Sequence, residues 1–296
     1  MQDALKNITT QPITGWSNDR IQTDLLRLDQ LHPVVSGNKW FKLRYYLEDA
    51  MALQKKIIAS FGGAYSNHIV AMAYACKSAG LQSVGIIRGE EPATLSHTLK
   101  AAIFYGMQLI FVSRDAYKNK AQLQEGFHQP NWYWIGEGGY GMKGAEGATT
   151  ILQTTDHALY TDILCATGTG TMMAGCIKGS LPHQRITGIS VLKNHHSLQA
   201  EVEALLTDTE RSHNYTFLHN YHFGGYAKHP PELVEFMNHL FRQENIPTDI
   251  VYTGKLLFGV SDLIRKAYFP SGSRILVIHS GGLQGNESLP QGRLIY

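Results

Sequence analysis

A single lysine that follows a short flexible turn carries the most specific chemistry in the sequence. Residues 36–39 read Ser-Gly-Asn-Lys and lead directly into residues 40–47, whose apolar pattern predicts a helix. Gly37 tolerates positive φ angles and lets another group approach the backbone closely. The amine of Lys39 can form a Schiff base if its surroundings lower its pKa enough to leave it neutral. Taken alone, these residues favour an ordinary surface lysine near a helix start, so other segments must decide.

A glycine- and threonine-rich loop in the second half of the chain predicts a phosphate site. Residues 167–171 read Thr-Gly-Thr-Gly-Thr and lie between a predicted strand and a predicted helix. Backbone amides and hydroxyls at the start of a helix suit a phosphate group. The P-loop pattern is absent and Met173 breaks the dinucleotide pattern, so a phosphate of non-nucleotide type fits better. The alternative is an ordinary tight turn.

A second loop of the same kind lies in the first half, where residues 62–68 read Gly-Gly-Ala-Tyr-Ser-Asn-His. Ser66 and Asn67 stand where helix N-caps are expected, and that structural role alone would account for them. The same hydroxyl and amides would also bind a substrate carboxylate. His68 alone favours a packing role over that of a base.

Two tyrosines complete the candidate residues. Residues 250–252 (Ile-Val-Tyr) predict a short strand that ends at Tyr252 and Thr253. Tyr226 lies in a glycine-containing loop that could come near the same cleft. The alternative for Tyr252 is a half-buried strand tyrosine with no chemical role.

Composition excludes several classes of partner. The 296 residues are 43% hydrophobic and 17% charged, which predicts a globular protein with a substantial core. A net charge of +2 without a dense basic run gives no reason to expect a nucleic acid or an anionic membrane as partner. No leader and no membrane-spanning apolar run is apparent, so we expect a cytoplasmic location. The cysteines, at 76, 165 and 176, predict buried free thiols, and no histidine spacing, His195-His196 included, predicts a metal site.

The order of predicted elements indicates the fold class. From about residue 56 short apolar runs alternate with helical patterns, and the alternation resumes at about residue 162. Such alternation predicts an α/β protein of two three-layer αβα domains with parallel or mostly parallel sheets. Ligands of such sheets bind at the carboxyl ends of the strands, which is where this chain places its glycines.

Together these segments resemble a known family. The chain is similar to the pyridoxal-phosphate enzymes of the tryptophan synthase β fold type, and most to the branch of D-cysteine desulfhydrase and 1-aminocyclopropane-1-carboxylate (ACC) deaminase. Residues 36–39, with Lys42-Leu43 downstream, match the lysine motif of that branch, and residues 65–68 match its Gln-Ser-Asn-His loop. Residues 251–255 and 279–282 match two C-terminal motifs, and the order agrees from about Arg27 to Gly282.

The resemblance implies a cofactor, a division into domains and a role for each site residue. Pyridoxal 5'-phosphate would be bound mainly by a large domain of residues 1–47 and 155–296, with residues 48–154 as the small domain. The catalytic residues would be Lys39, as Schiff-base lysine and base, Ser66 at the substrate carboxylate, Tyr226 and Tyr252. The cofactor would be held by Lys39, by Asn67 at its ring hydroxyl, by Thr167, Gly168, Thr169, Gly170 and Thr171 at its phosphate, and by Thr253 facing its pyridine nitrogen.

Two positions bear on the substrate. ACC deaminases typically place Glu at the position of Thr253 and Leu at the position of Ser280. A neutral hydroxyl stabilises a protonated pyridine less than a carboxylate does, and a weaker electron sink suits β-elimination of a good leaving group. The resemblance therefore favours a lyase that acts on D-cysteine or a related small β-substituted amino acid and releases an oxo acid and ammonia. Phe41, Tyr140 and Met172 depart from the family pattern and weaken the substrate assignment.

Two alternatives stay open at this point. ACC deaminase is the second candidate activity. A protein of another class, which binds pyridoxal phosphate or a phosphorylated metabolite without catalysis, is the third reading, although Ser66 and the tyrosines provide substrate-side groups that such a protein does not need. The resemblance also implies a homodimer.

Overall fold

The computed structural model describes residues 2–296; Met1, the first residue of the predicted large domain, lies outside the described part. Its strands form two sheets. The strands are β1 (Thr10–Pro12), β2 (Ile21–Arg27), β3 (Ile57–Gly62), β4 (Gln82–Arg88), β5 (Met107–Val112), β6 (Trp132–Ile135), β7 (Asp162–Thr167), β8 (Arg185–Ser190), β9 (Tyr215–Leu218) and β10 (Ser273–His279).

Helices connect these strands and cover the sheets. The α-helices are α1 (Asn38–Ala52), α2 (Asn67–Ser78), α3 (His97–Phe104), α4 (Lys120–Phe127), α5 (Met142–Thr149), α6 (Thr171–Gly179), α7 (Leu198–Glu203), α8 (Asp208–Arg211), α9 (Pro231–Glu244) and α10 (Thr253–Arg265). Short 3₁₀ turns join several of them. Within residues 2–296 no helix combines the length and apolar character needed to cross a membrane.

The two sheets confirm the predicted fold class. The six-stranded sheet has the order β1-β2-β10-β7-β8-β9 and is parallel except for the antiparallel pair β1–β2. The four-stranded sheet, β5-β4-β3-β6, is parallel throughout. Its strands lie in sequence between β2 and β7 of the larger sheet. The division into domains at residues 47/48 and 154/155 remains a prediction, and its first boundary falls within α1.

Small residues let the helices between the two sheets approach closely. A Cβ atom on Gly147 of α5 would lie 2.0 Å from the carbonyl oxygen of Phe41 on α1. On the other side of α5, a Cβ on Gly175 of α6 would lie 2.4 Å from the Cβ of Ala148. The backbones of α1, α5 and α6 therefore pack against each other in a way that larger side chains would prevent.

Two predictions about the elements need correction. Residues 250–252 are not a strand: they form a turn that leads into α10, because the buried carboxylate of Asp249 accepts hydrogen bonds from the backbone N–H groups of Val251, Tyr252 and Thr253. The sequence patterns also did not indicate β1 and β2, although β2 lies between β1 and β10 in the large sheet.

Candidate active site

A cavity of about 440 Å³ lies where the loops that follow strands of both sheets meet. Loops after β3, β4 and β6 contribute one side, and loops after β7, β8 and β10 the other. The predicted site residues that line it are Lys39, Ser66, Asn67, Thr167, Gly168, Thr169, Gly170, Tyr226 and Tyr252. Thr171 and Thr253 are fully buried and are not among its lining residues.

Lys39 occupies the second position of α1 and reaches the cavity. Its Nζ donates a hydrogen bond to Asn38 Oδ1 at 2.9 Å and lies 5.9 Å from the ring centroid of Tyr252. Burial lowers the pKa of the Lys39 amine from 10.5 to about 8, and the carboxylate of Asp249 partly opposes the shift. About a tenth of the amine is therefore neutral and nucleophilic at pH 7.

The turn before Lys39 packs directly on the turn that follows β10. Gly37 has φ +64°, and a Cβ atom there would lie 1.8 Å from the carbonyl oxygen of Ser280. That carbonyl accepts a hydrogen bond from Asn38 N at 3.2 Å, while a Cβ on Gly281 would lie 2.5 Å from Ser36 Oγ. Two motifs that are far apart in sequence thus form one backbone unit at the base of Lys39.

The threonine–glycine loop provides an anion site at a helix start. Gly170 precedes α6 in the left-handed conformation, at φ +75°, and no side chain caps the first turn of the helix. The first backbone N–H groups of a helix have no partner inside it, so these amides remain for a ligand. Thr169 Oγ1 and Thr171 Oγ1 lie 3.2 Å apart, which places a second hydroxyl behind the one that lines the cavity.

Ser66 and Asn67 start α2 on the opposite side of the cavity. Ser66 is the N-cap, and its Oγ accepts a hydrogen bond from Ile69 N at 3.4 Å. A Cβ atom on Gly282 would lie 3.0 Å from Asn67 Nδ2, so this amide contacts the loop after β10. The capping role is thus present, and Ser66 also faces the cavity.

His68 is a buried neutral imidazole. Its Nε2 pairs with the hydroxyl of Ser60 at 2.8 Å. Burial, with added repulsion from Lys39 and Lys42, lowers the pKa of His68 to about 3. An imidazole in this position has a packing and hydrogen-bonding role, in agreement with the prediction made for it.

The two tyrosines meet on the cavity wall. The ring centroids of Tyr226 and Tyr252 are 6.5 Å apart, and the planes of the two rings are nearly perpendicular. A Cβ on Gly168 would lie 3.3 Å from Tyr252 Cε1, so the tyrosine ring packs on the phosphate-site loop. Burial and neighbouring negative charge raise the pKa of both Tyr226 and Tyr252, which keeps both hydroxyls protonated at neutral pH. They can donate hydrogen bonds and do not serve as bases.

Thr253 lies behind the cavity wall, where its hydroxyl is already engaged. Thr253 Oγ1 donates to Asp249 Oδ1 at 2.6 Å and accepts a hydrogen bond from Asp249 N at 2.8 Å. Ser280, the other hydroxyl residue that bears on the substrate, lines the cavity. The contact predicted between Thr253 and a pyridine nitrogen therefore stays a prediction.

Several lining residues were not singled out from the sequence as ligand contacts. They are Asn38, Lys42, Arg88, Glu137, His195, Glu201, Ser280 and Gln284. Glu137 is held by the hydroxyl of Tyr117 at 2.9 Å and by Lys120 at 3.0 Å. Asn38, Lys42 and Ser280 lie within the motifs matched in the sequence, whereas the others were indicated at most by a place near the end of a strand.

Lys42 is a nearly unpaired amine in the cavity wall. Its side chain is 4% exposed, and its best partner is the carbonyl of Gly138 at 3.5 Å. Burial and the neighbouring Lys39 amine lower its pKa well below the ordinary value. A buried amine without an acidic partner is costly, and a bound anion would remove that cost.

The three departures from the family pattern are each accounted for locally. Phe41 is fully buried in the core of α1, edge-on to Trp40. The Tyr140 hydroxyl donates to the carbonyl of Glu201 at 3.0 Å and so ties the glycine-rich turn after β6 to α7. Met172 Sδ accepts a hydrogen bond from Asn38 Nδ2 at 3.2 Å, beside Lys39.

The residues present fit the cofactor that the resemblance implies. An amine with a lowered pKa, an uncapped helix start and an asparagine amide converge on one cavity. On the lining residues Asn67 and Thr167, the atoms Oδ1 and Oγ1 are buried and have no hydrogen-bond partner within the described chain. Buried polar atoms are normally paired, so these two indicate that the site is completed by a ligand with its own polar groups.

Comparisons with known proteins agree with this geometry. Residues 12–281 match the model of a family described as pyridoxal-phosphate dependent enzyme. A Thermotoga maritima protein named putative 1-aminocyclopropane-1-carboxylate deaminase is 30% identical over 280 residues, which cover 88% of this chain and 88% of that protein. An Arabidopsis thaliana protein named bifunctional D-cysteine desulfhydrase/1-aminocyclopropane-1-carboxylate deaminase, mitochondrial, is 26% identical over 282 residues, or 85% of this chain and 70% of that one.

A solved structure described as an ACC deaminase homologue also matches. It superposes with a TM-score of 0.78 at 25% sequence identity and covers 95% of this chain and 90% of its own.

Proposed function

Because this chain belongs to the pyridoxal-phosphate dependent enzymes, in the branch of ACC deaminases and D-cysteine desulfhydrases, we propose that it is a lyase that removes ammonia and a β-substituent from D-cysteine or a related small amino acid. The observation that carries the proposal is Lys39, a partly neutral amine that shares one cavity with Ser66 and the uncapped start of α6. The family as a whole depends on pyridoxal phosphate.

We assign the site residues as follows. Lys39 would bond to the cofactor aldehyde and, once released by the substrate amine, act as the base at the substrate Cα. Residues 167–171 would hold the phosphate, Asn67 the ring hydroxyl and Thr253 the pyridine nitrogen. When bound, pyridoxal phosphate withdraws electrons from the amino acid and allows substituents at Cα and Cβ to leave.

The remaining groups orient the substrate. Ser66 and the start of α2 present a hydroxyl and helix amides to the substrate carboxylate. Tyr226 and Tyr252, whose raised pKa values keep them protonated, would donate hydrogen bonds to the departing group and exclude water from one side of the cavity. Because the pKa of His68 is lowered to about 3, its imidazole is too weak a base for this step, and Lys39 is left as the base.

The choice of substrate rests on two hydroxyl residues. Thr253 and Ser280 stand where ACC deaminases typically have Glu and Leu, which favours elimination of a thiol over opening of a cyclopropane ring. ACC deaminase is kept as the second candidate because it is named in the relatives from Thermotoga maritima and Arabidopsis thaliana. We further propose that the enzyme is a cytoplasmic homodimer. Light scattering after gel filtration would test the dimer.

One experiment tests cofactor attachment. The purified protein is incubated with pyridoxal phosphate, reduced with borohydride and digested. The mass of the peptide that contains Lys39 is then measured by mass spectrometry. We expect the added mass on Lys39 and its loss in Lys39→Ala, whereas a matched variant of an exposed lysine, Lys77→Ala, retains it. Attachment that is unchanged in Lys39→Ala would refute the assignment.

A second experiment tests the substrate. D-cysteine, L-cysteine, D-serine and ACC are supplied separately, and oxo acid and sulfide are measured. Sulfide and oxo acid from D-cysteine support the proposal. Oxo acid from ACC alone would make the deaminase the better assignment, and turnover of none would refute both activities for these substrates.

A further inference from the structure

Lys255 is a fully buried lysine that the proposed reaction does not use. It lies in the first turn of α10, three residues after Tyr252, with its side chain 0% exposed. Its Nζ donates hydrogen bonds to the carbonyl oxygens of His222 at 2.9 Å and Gly225 at 2.6 Å. No carboxylate forms an ion pair with it among the residues that the structure describes. The amine is therefore bound by the backbone of one loop.

That loop carries Tyr226 and has a costly conformation. Phe223 and Ala227 adopt positive φ angles of 51° and 54°, and the glycines at 224 and 225 have φ values of 92° and 123°. A residue other than glycine at positive φ costs about 1 kcal/mol of folding free energy, so the surrounding structure must hold the loop in place. The loop has hydrogen bonds of its own, and its contacts with α10 include the Lys255 hydrogen bonds and the packing of Phe223 on Phe258, with ring centroids 4.8 Å apart.

Tyr226 follows directly after Gly225 in this loop and lines the cavity. Its side chain is 47% exposed, and its ring contacts the cavity through the perpendicular pair with Tyr252. Tyr252 is the N-cap of α10, and Lys255 is in the first turn of the same helix. The two tyrosines are therefore linked through a single helical turn, with Lys255 as the connection to the loop.

We propose that Lys255 is a positioning residue that fastens residues 222–227 to the start of α10 and thereby holds Tyr226 beside Tyr252 at the substrate. The proposal deepens the proposed function and rests on it only for the contact between Tyr226 and substrate. Burial lowers the pKa of Lys255 to about 8, and the charge of Asp249 opposes the shift. Burying this amine therefore costs folding free energy. An apolar side chain in this place would avoid that cost but would leave each of the two loop carbonyls with only a backbone donor, Gly225 N for His222 and Lys228 N for Gly225.

The first test is hydrogen exchange of the holoenzyme, measured by mass spectrometry on the peptide that covers residues 222–228. Lys255→Met removes the donors and keeps the length of the side chain. We expect exchange in this peptide to rise about tenfold or more, because two charge-assisted hydrogen bonds are lost. Leu263→Ala, at the far end of α10, is the control: it should destabilise the protein without a selective change in this peptide. Unchanged exchange in Lys255→Met would overturn the proposal.

The second test asks whether Lys255 acts through Tyr226. We expect Lys255→Met to lower kcat/KM about tenfold in the wild-type background and to have no further effect in Tyr226→Ala, as a double-mutant cycle detects for coupled residues. An equal effect in both backgrounds would overturn the positioning role. Should Lys255→Met fail to fold, Lys255→Gln, which keeps an N–H donor, should give an intermediate rise in exchange.

The two kinds of failure can be told apart. If no amino acid is turned over, the proposed function fails, while the exchange measurement still decides whether Lys255 fastens the loop. If turnover is found but exchange does not change, only the inference about Lys255 fails.

Discussion

Thr253 and Asp249 form a closed pair in which each donates to the other. The Thr253 hydroxyl donates to Asp249 Oδ1 at 2.6 Å, and the backbone N–H of Asp249 donates to Thr253 Oγ1 at 2.8 Å. The same carboxylate also accepts the N–H groups of Val251, Tyr252 and Thr253. A fully buried acid thus builds the start of α10, and with it the position of Tyr252 in the cavity.

We expect Asp249→Asn to destabilise the protein by about 2–4 kcal/mol, because an amide replaces one acceptor oxygen by a donor that faces other donors. Urea unfolding measures the change. Asp262→Asn, on α10 itself, is the control: this carboxylate also has several partners, but it lies near the surface, so its loss should cost about 1 kcal/mol or less. Equal losses for the two variants would contradict a special role of Asp249.

The turn at Asp249 also shows why part of the fold could not be predicted from the sequence. Ile-Val-Tyr has strand propensity, yet a carboxylate one residue earlier captures the following amides and starts a helix instead. The strand β2 was not predicted because its polar residues, such as Thr23 and Asp24, interrupt the apolar run. In contrast, the strand–loop–helix units at residues 57–78 and 162–179 were predicted because apolar runs, glycines and caps agree there.

The candidate site was predictable where it is local and unpredictable where distant segments meet. Lys39, Ser66 and Gly168 are marked by turn residues next to them, and the structure brings them to one cavity. Arg88 has no such local mark, because only the packing of the two sheets places it at this cavity, whereas Lys42 follows Lys39 by three residues on α1 and so lies on the same helix face. The roles assigned to Lys39, Ser66 and Gly168 remain predictions.

The rate of cofactor attachment should depend on pH through the amine of Lys39. With a pKa of about 8 rather than 10.5, about one amine in ten is neutral at pH 7, against about one in three thousand for an ordinary lysine. Because only the neutral amine attacks an aldehyde, the rate should rise about tenfold per pH unit below pH 8 and level off above it. Stopped-flow absorbance on the cofactor-free protein measures this, and a rate that still rises steeply at pH 10 would contradict the lowered pKa.

Gly37 should not tolerate a side chain, because a Cβ atom there would clash with the Ser280 backbone in addition to the strain of its positive φ angle. Gly37→Ala places a Cβ 1.8 Å from the carbonyl oxygen of Ser280, so the Lys39 turn and the turn after β10 must separate. Gly80→Ala is a matched control, since Gly80 has a similar φ of +70° and open space around its Cβ position. We expect about 1 kcal/mol of destabilisation for Gly80→Ala and about 3 kcal/mol or more for Gly37→Ala, with loss of cofactor attachment. Similar losses in urea unfolding would leave backbone strain alone as the cause.

His68 should make the cofactor-free protein sensitive to acid. Its pKa is about 3 in the folded protein and 6.5 as the ordinary value, so below pH 6.5 the unfolded chain binds a proton that the native imidazole excludes. Stability is therefore lost as the pH falls from about 6.5 to about 3, at up to about 1.4 kcal/mol per pH unit.

His68→Gln keeps a polar group for Ser60 but does not titrate. Between pH 7 and pH 4 we expect the wild-type protein to lose about 3 kcal/mol more than this variant in urea unfolding. The same comparison with His239→Gln, an exposed site on α9, checks that the difference belongs to the buried imidazole. Parallel curves for wild type and His68→Gln would show that another group causes the acid sensitivity.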